Sequence, residues 1–388
     1  MKGKVKSKSV ILIISVAVFI LGITSFYAFN SQEFSKTELS DAEQIISKCE
    51  DDVRCAVDSL QVLAKSGKDE KIIDTFHELV SIYDENYPCH EVAHHLGMWL
   101  YGQVGEIDEA LKEAKMICGG AIYHGVIQKY LMTEHFANTD PSEIVFDKIC
   151  LENKNHPYAI ERWQCLHGLG HGLTSFYDND VFEAVKICEQ FDPGWEQISC
   201  SKGVFMQNVV YNLDTGGGTF DKDDRFYPCN KVDSKWAPQC YHYHPTYLLI
   251  QNKFSVTKSY DDCDRITPEE FVKYCYHGMG RQLEQNIEGK ISMAIVFCTE
   301  GKQSIFHADC FRGMVMTIVN GDTNPKLGFQ FCSLISEEFK VDCYDGLGRW
   351  VHMLHSTDEG RSTECLRAEN SDYFEICMKA SLESLKLL

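Results

Sequence analysis

Cys263-Asp264-Arg265-Ile266-Thr267-Pro268-Glu269-Glu270-Phe271-Val272-Lys273-Tyr274-Cys275-Tyr276-His277-Gly278-Met279-Gly280 is one copy of the pattern on which the fold is read. Two cysteines stand 12 residues apart, and the same two-stroke rhythm runs from residue 150 to the end: Cys150/Cys165, Cys188/Cys200, Cys229/Cys240, Cys263/Cys275, Cys298/Cys310, Cys332/Cys343 and Cys365/Cys377. Pairs recur every 33 to 41 residues. A period of that size marks stacked supersecondary units, each unable to bury its apolar face alone.

The flanking residues identify the unit. The first cysteine closes a helical pattern, as in Ile291-Ser292-Met293-Ala294-Ile295-Val296-Phe297-Cys298. A polar turn follows, and Thr267-Pro268-Glu269-Glu270 then reads as a helix start, with a cap, proline at the first position and glutamate at the third. That places the second cysteine about two turns into the next helix. Each pair therefore predicts a disulfide from the end of one helix to the early part of the next. Cys89 and Cys118 are predicted to pair across the first hairpin, while Cys49 and Cys55 have no assignable partners. C-x-x-G follows the second cysteine at Gly168, Gly203, Gly278, Gly313 and Gly346. Glycine costs a helix roughly 1 kcal/mol relative to alanine, so its recurrence at one register needs a cause. Close helix–helix contact is the preferred one; backbone bared to a ligand is the other. The fold class is all-α: α/α helical-hairpin repeats, a solenoid or a closed toroid, stapled by disulfides.

The chain has 388 residues and 18 cysteines, with 44% hydrophobic residues, enough for an extended core. An even cysteine count in a periodic frame implies an oxidising compartment. The N-terminus agrees: Lys2, Lys4, Lys6 and Lys8 precede an uncharged run from Val10 to Phe29, long enough to span a bilayer. The expected organisation is a cytoplasmic basic tail (1–9), a transmembrane anchor or signal sequence (10–29), a helical lead-in (30–85) and a disulfide-rich α/α repeat domain (86–388). This makes a single-pass cell-membrane protein with its bulk extracytoplasmic. A net charge of −20 opposes nucleic-acid binding. Residues 214–238 break the period and read as a surface loop; the acidic Asp221-Lys222-Asp223-Asp224 lacks EF-hand spacing.

Chemistry concentrates in the histidines. Cys89-His90-Glu91-Val92-Ala93-His94 contains H-E-x-x-H, which on a helix sets His90 and His94 on one face as metal ligands, with Glu91 the candidate general base. Cys165-Leu166-His167-Gly168-Leu169-Gly170-His171 holds a second pair four apart. His124 stands six after Cys118, as His171 stands six after Cys165. If equivalent helices stack, His90, His94, His124, His167 and His171 converge in one pocket suited to zinc or another transition metal. The competing reading makes them packed structural side chains, as it does His277, His242 and His244.

The stapled helix pairs over 86–388 resemble the disulfide-bridged, tetratricopeptide-like repeats of secreted bacterial cysteine-rich proteins, which implies architecture alone. Cys275-Tyr276-His277-Gly278 and Cys165-Leu166-His167-Gly168-Leu169-Gly170 are similar to the turns of lanthionine-cyclase α/α toroids, with an extra residue between Cys and His-Gly. That second resemblance implies a closed toroid in which cysteine thiolates and a histidine bind zinc. Two functions are expected. One is a membrane-anchored extracytoplasmic protein with a histidine metal site, a metal-dependent hydrolase in its catalytic form. The other is a non-catalytic repeat scaffold whose concave face binds a protein or glycan.

Overall fold

A computed structural model describes residues 40–50, 52–63, 65, 72–82, 89–133, 146–150, 159–284, 291–322 and 324–383. These residues form eighteen α-helices and no strand. The predicted anchor, residues 10–29, lies outside the described residues, among which no helix is long and apolar enough to cross a membrane.

Helices α1 (Asp41–Cys49), α2 (Val53–Leu63) and α3 (Ile72–Ile82) form the lead-in. The repeat array begins with α4 (Cys89–Val104), α5 (Ile107–Glu113) and α6 (Ala121–Leu131). It continues through α7 (Ala159–Phe176), α8 (Val181–Ile187), α9 (Trp195–Thr215), α10 (Ala237–Gln251), α11 (Val256–Cys263) and α12 (Val272–Leu283). It ends with α13 (Ile291–Thr299), α14 (His307–Asp322), α15 (Pro325–Leu334), α16 (Glu337–Leu354), α17 (Asp358–Cys365) and α18 (Ser371–Leu382). From α7 onward, helices of 12 to 21 residues alternate with short ones of 7 to 10, except between α9 and α10. Consecutive long helices pack side by side, and each short helix leans on the long pair it connects.

All 18 cysteines are bridged, in nine disulfides, with none free. The seven periodic pairs join as the spacing predicts, as does Cys89–Cys118. Cys49 pairs with Cys55, six residues away. No thiolate remains to bind zinc, so the cysteine ligation implied by the lanthionine-cyclase resemblance does not occur here. Helix starts are less uniform than the caps suggested. Thr267-Pro268-Glu269-Glu270 leads into a 3-10 turn, Glu269–Phe271, and α12 proper begins at Val272. Cys275 therefore lies in the first turn of α12 rather than two turns in.

The recurring glycines are points of helix–helix contact. A Cβ at Gly170 would lie 2.1 Å from the carbonyl oxygen of Cys200, and one at Gly203 would lie 2.0 Å from that of His167. The same reciprocal contact joins Gly97 to Ile122 and Gly125 to His94, and joins Gly280 to Cys310 and Gly313 to His277. Backbone, not a movable side chain, fills the space at each. Such close approach brings residues beside the glycines on neighbouring helices within reach of one another.

The array also turns back on itself. Gln164 on α7 donates to Asn320 Oδ1 on α14 at 3.0 Å, 156 residues away in sequence. The rings of Trp163 on α7 and Trp350 on α16 meet edge to face at 5.9 Å. The 214–238 stretch, expected as a surface loop, runs as turns and bends between α9 and α10 and is largely exposed or half-buried, with a few side chains tying it down. Phe220 stacks on Tyr247 at 4.2 Å, Thr219 Oγ1 donates to the Asn179 carbonyl, and Arg225 pairs with buried Asp262. Asp224 accepts from the Asn230 side chain and the Phe226 amide, which satisfies its carboxylate locally.

Candidate metal centre

Three glycine-flanked helices build the site. His90 and His94 project from α4, His124 from α6, and His167 and His171 from α7. His124 precedes Gly125, and a Cβ at Gly168 would lie 2.8 Å from the Cα of His124. The helices thus pack at near-backbone distance where the imidazoles sit. All five rings form one contiguous cluster. His124 lies 5.3 Å from His90, 6.1 Å from His94, and 5.0 Å from both His167 and His171, between ring centroids. His94 and His171 are 5.4 Å apart. Nitrogens of His124, His167 and His171 all fall within 4.8 Å of one another.

The hydrogen bonds fix which nitrogen carries the proton in four of the five rings. A carbonyl oxygen can only accept, so His90 Nδ1–H donates to Cys118 O at 2.9 Å and His167 Nδ1–H to Ser199 O at 3.2 Å. His171 Nδ1–H donates to Gln207 Oε1 at 2.7 Å, and His124 Nε2–H to Gln164 Oε1 at 3.1 Å. The Gln164 amide is itself oriented by its bond to Asn320. In each neutral ring the opposite nitrogen then holds a lone pair. His90 Nε2, His94 Nε2, His124 Nδ1 and His171 Nε2 are buried and have no hydrogen-bond partner among the described residues. His167 Nε2 faces Met206 Sδ at 3.4 Å.

Burial keeps the rings neutral. It is the largest cause holding His94, His124 and His167 well below the ordinary histidine range, with neighbouring imidazoles adding to it. His90 is lowered for the same first reason, and His171 falls to about 4 despite its bond to Gln207. Neutral imidazole is the ligand form. A metal-binding histidine commonly donates its other N–H to a carbonyl or side-chain oxygen, which fixes its tautomer and orientation. Four of the five rings here are held in that way.

Glu91, the candidate general base, is solvent-exposed. At 3.6 residues per turn it lies about 100° around α4 from His90, so its carboxylate does not face the cluster. The condition for its catalytic role is unmet, and the His124–His167–His171 group contains no carboxylate. The anchors Gln164 and Gln207 carried no sequence signal, and two further anchors are backbone carbonyls. Another pairing escaped sequence reading: His242 Nδ1 and His277 Nδ1 lie 2.9 Å apart.

Gln207→Leu should remove the proton acceptor of His171 while leaving its inward nitrogen in place. Metal affinity, measured by competition with a chromophoric chelator, is expected to fall by about 10- to 100-fold, as for loss of an outer-shell partner. An unchanged affinity would show that His171 is not held for ligation.

No protein-family model, no curated protein and no solved structure matches this chain.

Proposed function

We propose that the protein is an extracytoplasmic metal-binding protein, tethered to the membrane through residues 10–29, that holds zinc or another transition metal in its histidine cluster. The observation that carries this reading is the set of four buried, unpartnered imidazole nitrogens, on rings of one contiguous cluster, three of them anchored through the opposite nitrogen. Left without a ligand, each such atom forfeits about 1–3 kcal/mol of hydrogen bonding. A cation shared among them satisfies all at once, and neutral imidazoles suit zinc, copper, nickel or iron. Nine disulfides, which persist in oxidising compartments, support the extracytoplasmic placement.

His124, His167 and His171 would be the inner ligands, with His90 and His94 within reach of the same volume. Three protein ligands resemble a centre that keeps a position for water or substrate. Hydrolysis, which H-E-x-x-H suggested, has no general base in this arrangement because Glu91 faces solvent, and the reading rests on metal binding itself.

Elemental analysis of the full-length protein, purified without added chelator and then after loading with zinc, copper or nickel, tests the proposal. Retention of one transition metal near stoichiometry, with a higher melting temperature than the chelator-treated protein, is expected. Neither retention nor stabilisation by any of these metals would refute it.

A further inference from the structure

Beside the imidazole cluster, the same register of the repeats turns cationic. The residue two after the second cysteine is His167 on α7, Lys202 on α9, His242 on α10, His277 on α12, Arg312 on α14 and Asp345 on α16. Arg312 is answered by Asp309 and Asp342. Lys202 is not answered. Its side chain is 5% exposed, its ammonium sits 5.8 Å from the Trp163 ring centroid, and no carboxylate pairs with it among the described residues. Arg281, six after Cys275, is the second such cation. Its guanidinium lies 4.5 Å above the Tyr243 ring and donates to Thr246 Oγ1 at 2.7 Å and to Gln282 Oε1 at 3.3 Å, yet among the described residues its Nε is buried with no acceptor and no acid pairs with it.

Arg281 and the rings of Tyr243, His242 and His277 adjoin one another beside His167, and the charge of Lys202 reaches them. Tyr243, under Arg281, has its ring 6.3 Å from His167 and 4.9 Å from His242, and His242 shares a proton with His277. Lys202 is close enough to Arg281 for repulsion to add to burial in bringing its pKa down to about 7, and it depresses His167, His242 and His277 in turn. A buried charge normally has a partner or is neutralised. Two cations, Lys202 buried and Arg281 half-buried, each without an acid among the described residues, describe half of an ion pair. A second metal at His242 and His277 is disfavoured by the same two cations.

We propose that Lys202, Arg281 and the His242–His277 pair form an interior binding site for a small oxyanion, the carboxylate or phosphate group of a small molecule, next to the histidine cluster. The planar guanidinium and the point-charged ammonium suit such a group, and an imidazole N–H completes the donor set. Nothing in this assignment requires the metal.

Titration calorimetry of the full-length, chelator-treated protein with sodium phosphate, and separately with sodium acetate, against chloride of equal ionic strength tests it. Saturable binding of at least one probe is expected; phosphate alone would identify a phosphate site, acetate alone a carboxylate site. Lys202→Met and Arg281→Gln should each weaken binding about tenfold or more, the loss of one charge-assisted hydrogen bond. Lys202→Met should also melt no lower than the wild type, because it removes an unpaired buried cation. Should a variant fail to fold, the wild type alone decides through a rise in melting temperature with phosphate or acetate beyond that with chloride. No saturable binding and no such rise, or undiminished binding in both variants, overturns the proposal. Because the metal is absent throughout, either outcome is independent of the metal reading.

Discussion

Replacing His124 and His171 together by alanine should leave a bridged, helical protein that no longer retains a transition metal. His124 touches every other member of the cluster, and His171 bridges it to His94. Losing both removes two of the three nitrogens that converge within 4.8 Å. The fall in affinity should exceed the roughly 10- to 100-fold expected for an outer-shell change such as Gln207→Leu. Dialysis against a competing chelator followed by elemental analysis measures it. His352→Ala serves as control, since His352 donates to the Ser381 carbonyl far along the chain and should leave metal content unchanged. Metal retained at wild-type level in the double variant would move the site elsewhere.

Gly203→Ala should destabilise the array by about 3 kcal/mol or more, the upper end of what overpacking costs. The added methyl would lie 2.0 Å from the His167 carbonyl oxygen, and backbone on both sides leaves α7 and α9 no response but to separate. Alanine's helix propensity returns only about 1 kcal/mol, so the clash decides the sign. Gly102→Ala is the opposite case: nothing lies within 4 Å of its Cβ, and the propensity gain should stabilise by about 1 kcal/mol. Thermal melts of the two variants under identical buffer and oxidant separate these effects. A neutral Gly203→Ala would mean that the helices are not locked at these contacts.

The two variants also show what could be read from the chain before its structure. Cysteine spacing was sufficient for eight of the nine bridges, because each pair belongs to one hairpin and its geometry is local. Histidine register was sufficient for the five-ring cluster, since equivalent positions on stacked helices line one surface. Glycine recurrence pointed to close contact without naming its partner. What stayed illegible depends on contacts far apart in sequence or made by backbone. Ser199 and Cys118 hold their histidines through carbonyl oxygens, and the Gln164–Asn320 bond spans half the array. Glu91 was misplaced for a different reason: a motif gives residue types in order, whereas only the helical turn says which way each side chain faces. His242 and His277 read as structural side chains because one stands in the interrupted repeat and the other beside Arg281, and no spacing brings the two together.

The pairing order of the cysteines carries a consequence for how the chain matures. Every cysteine is bonded to the next one along the sequence, from Cys49–Cys55 through Cys365–Cys377. No bridge encloses another, and none waits for a residue made much later. A chain threaded from its N-terminal end into an oxidising space can therefore seal each hairpin as soon as its second thiol emerges. Bridges already made need not be broken to reach the native set. Eighteen cysteines could pair in an enormous number of ways, but emergence in sequence reduces the choice at each step to the nearest open thiol. Biogenesis of this protein should accordingly depend on an oxidant far more than on a disulfide isomerase.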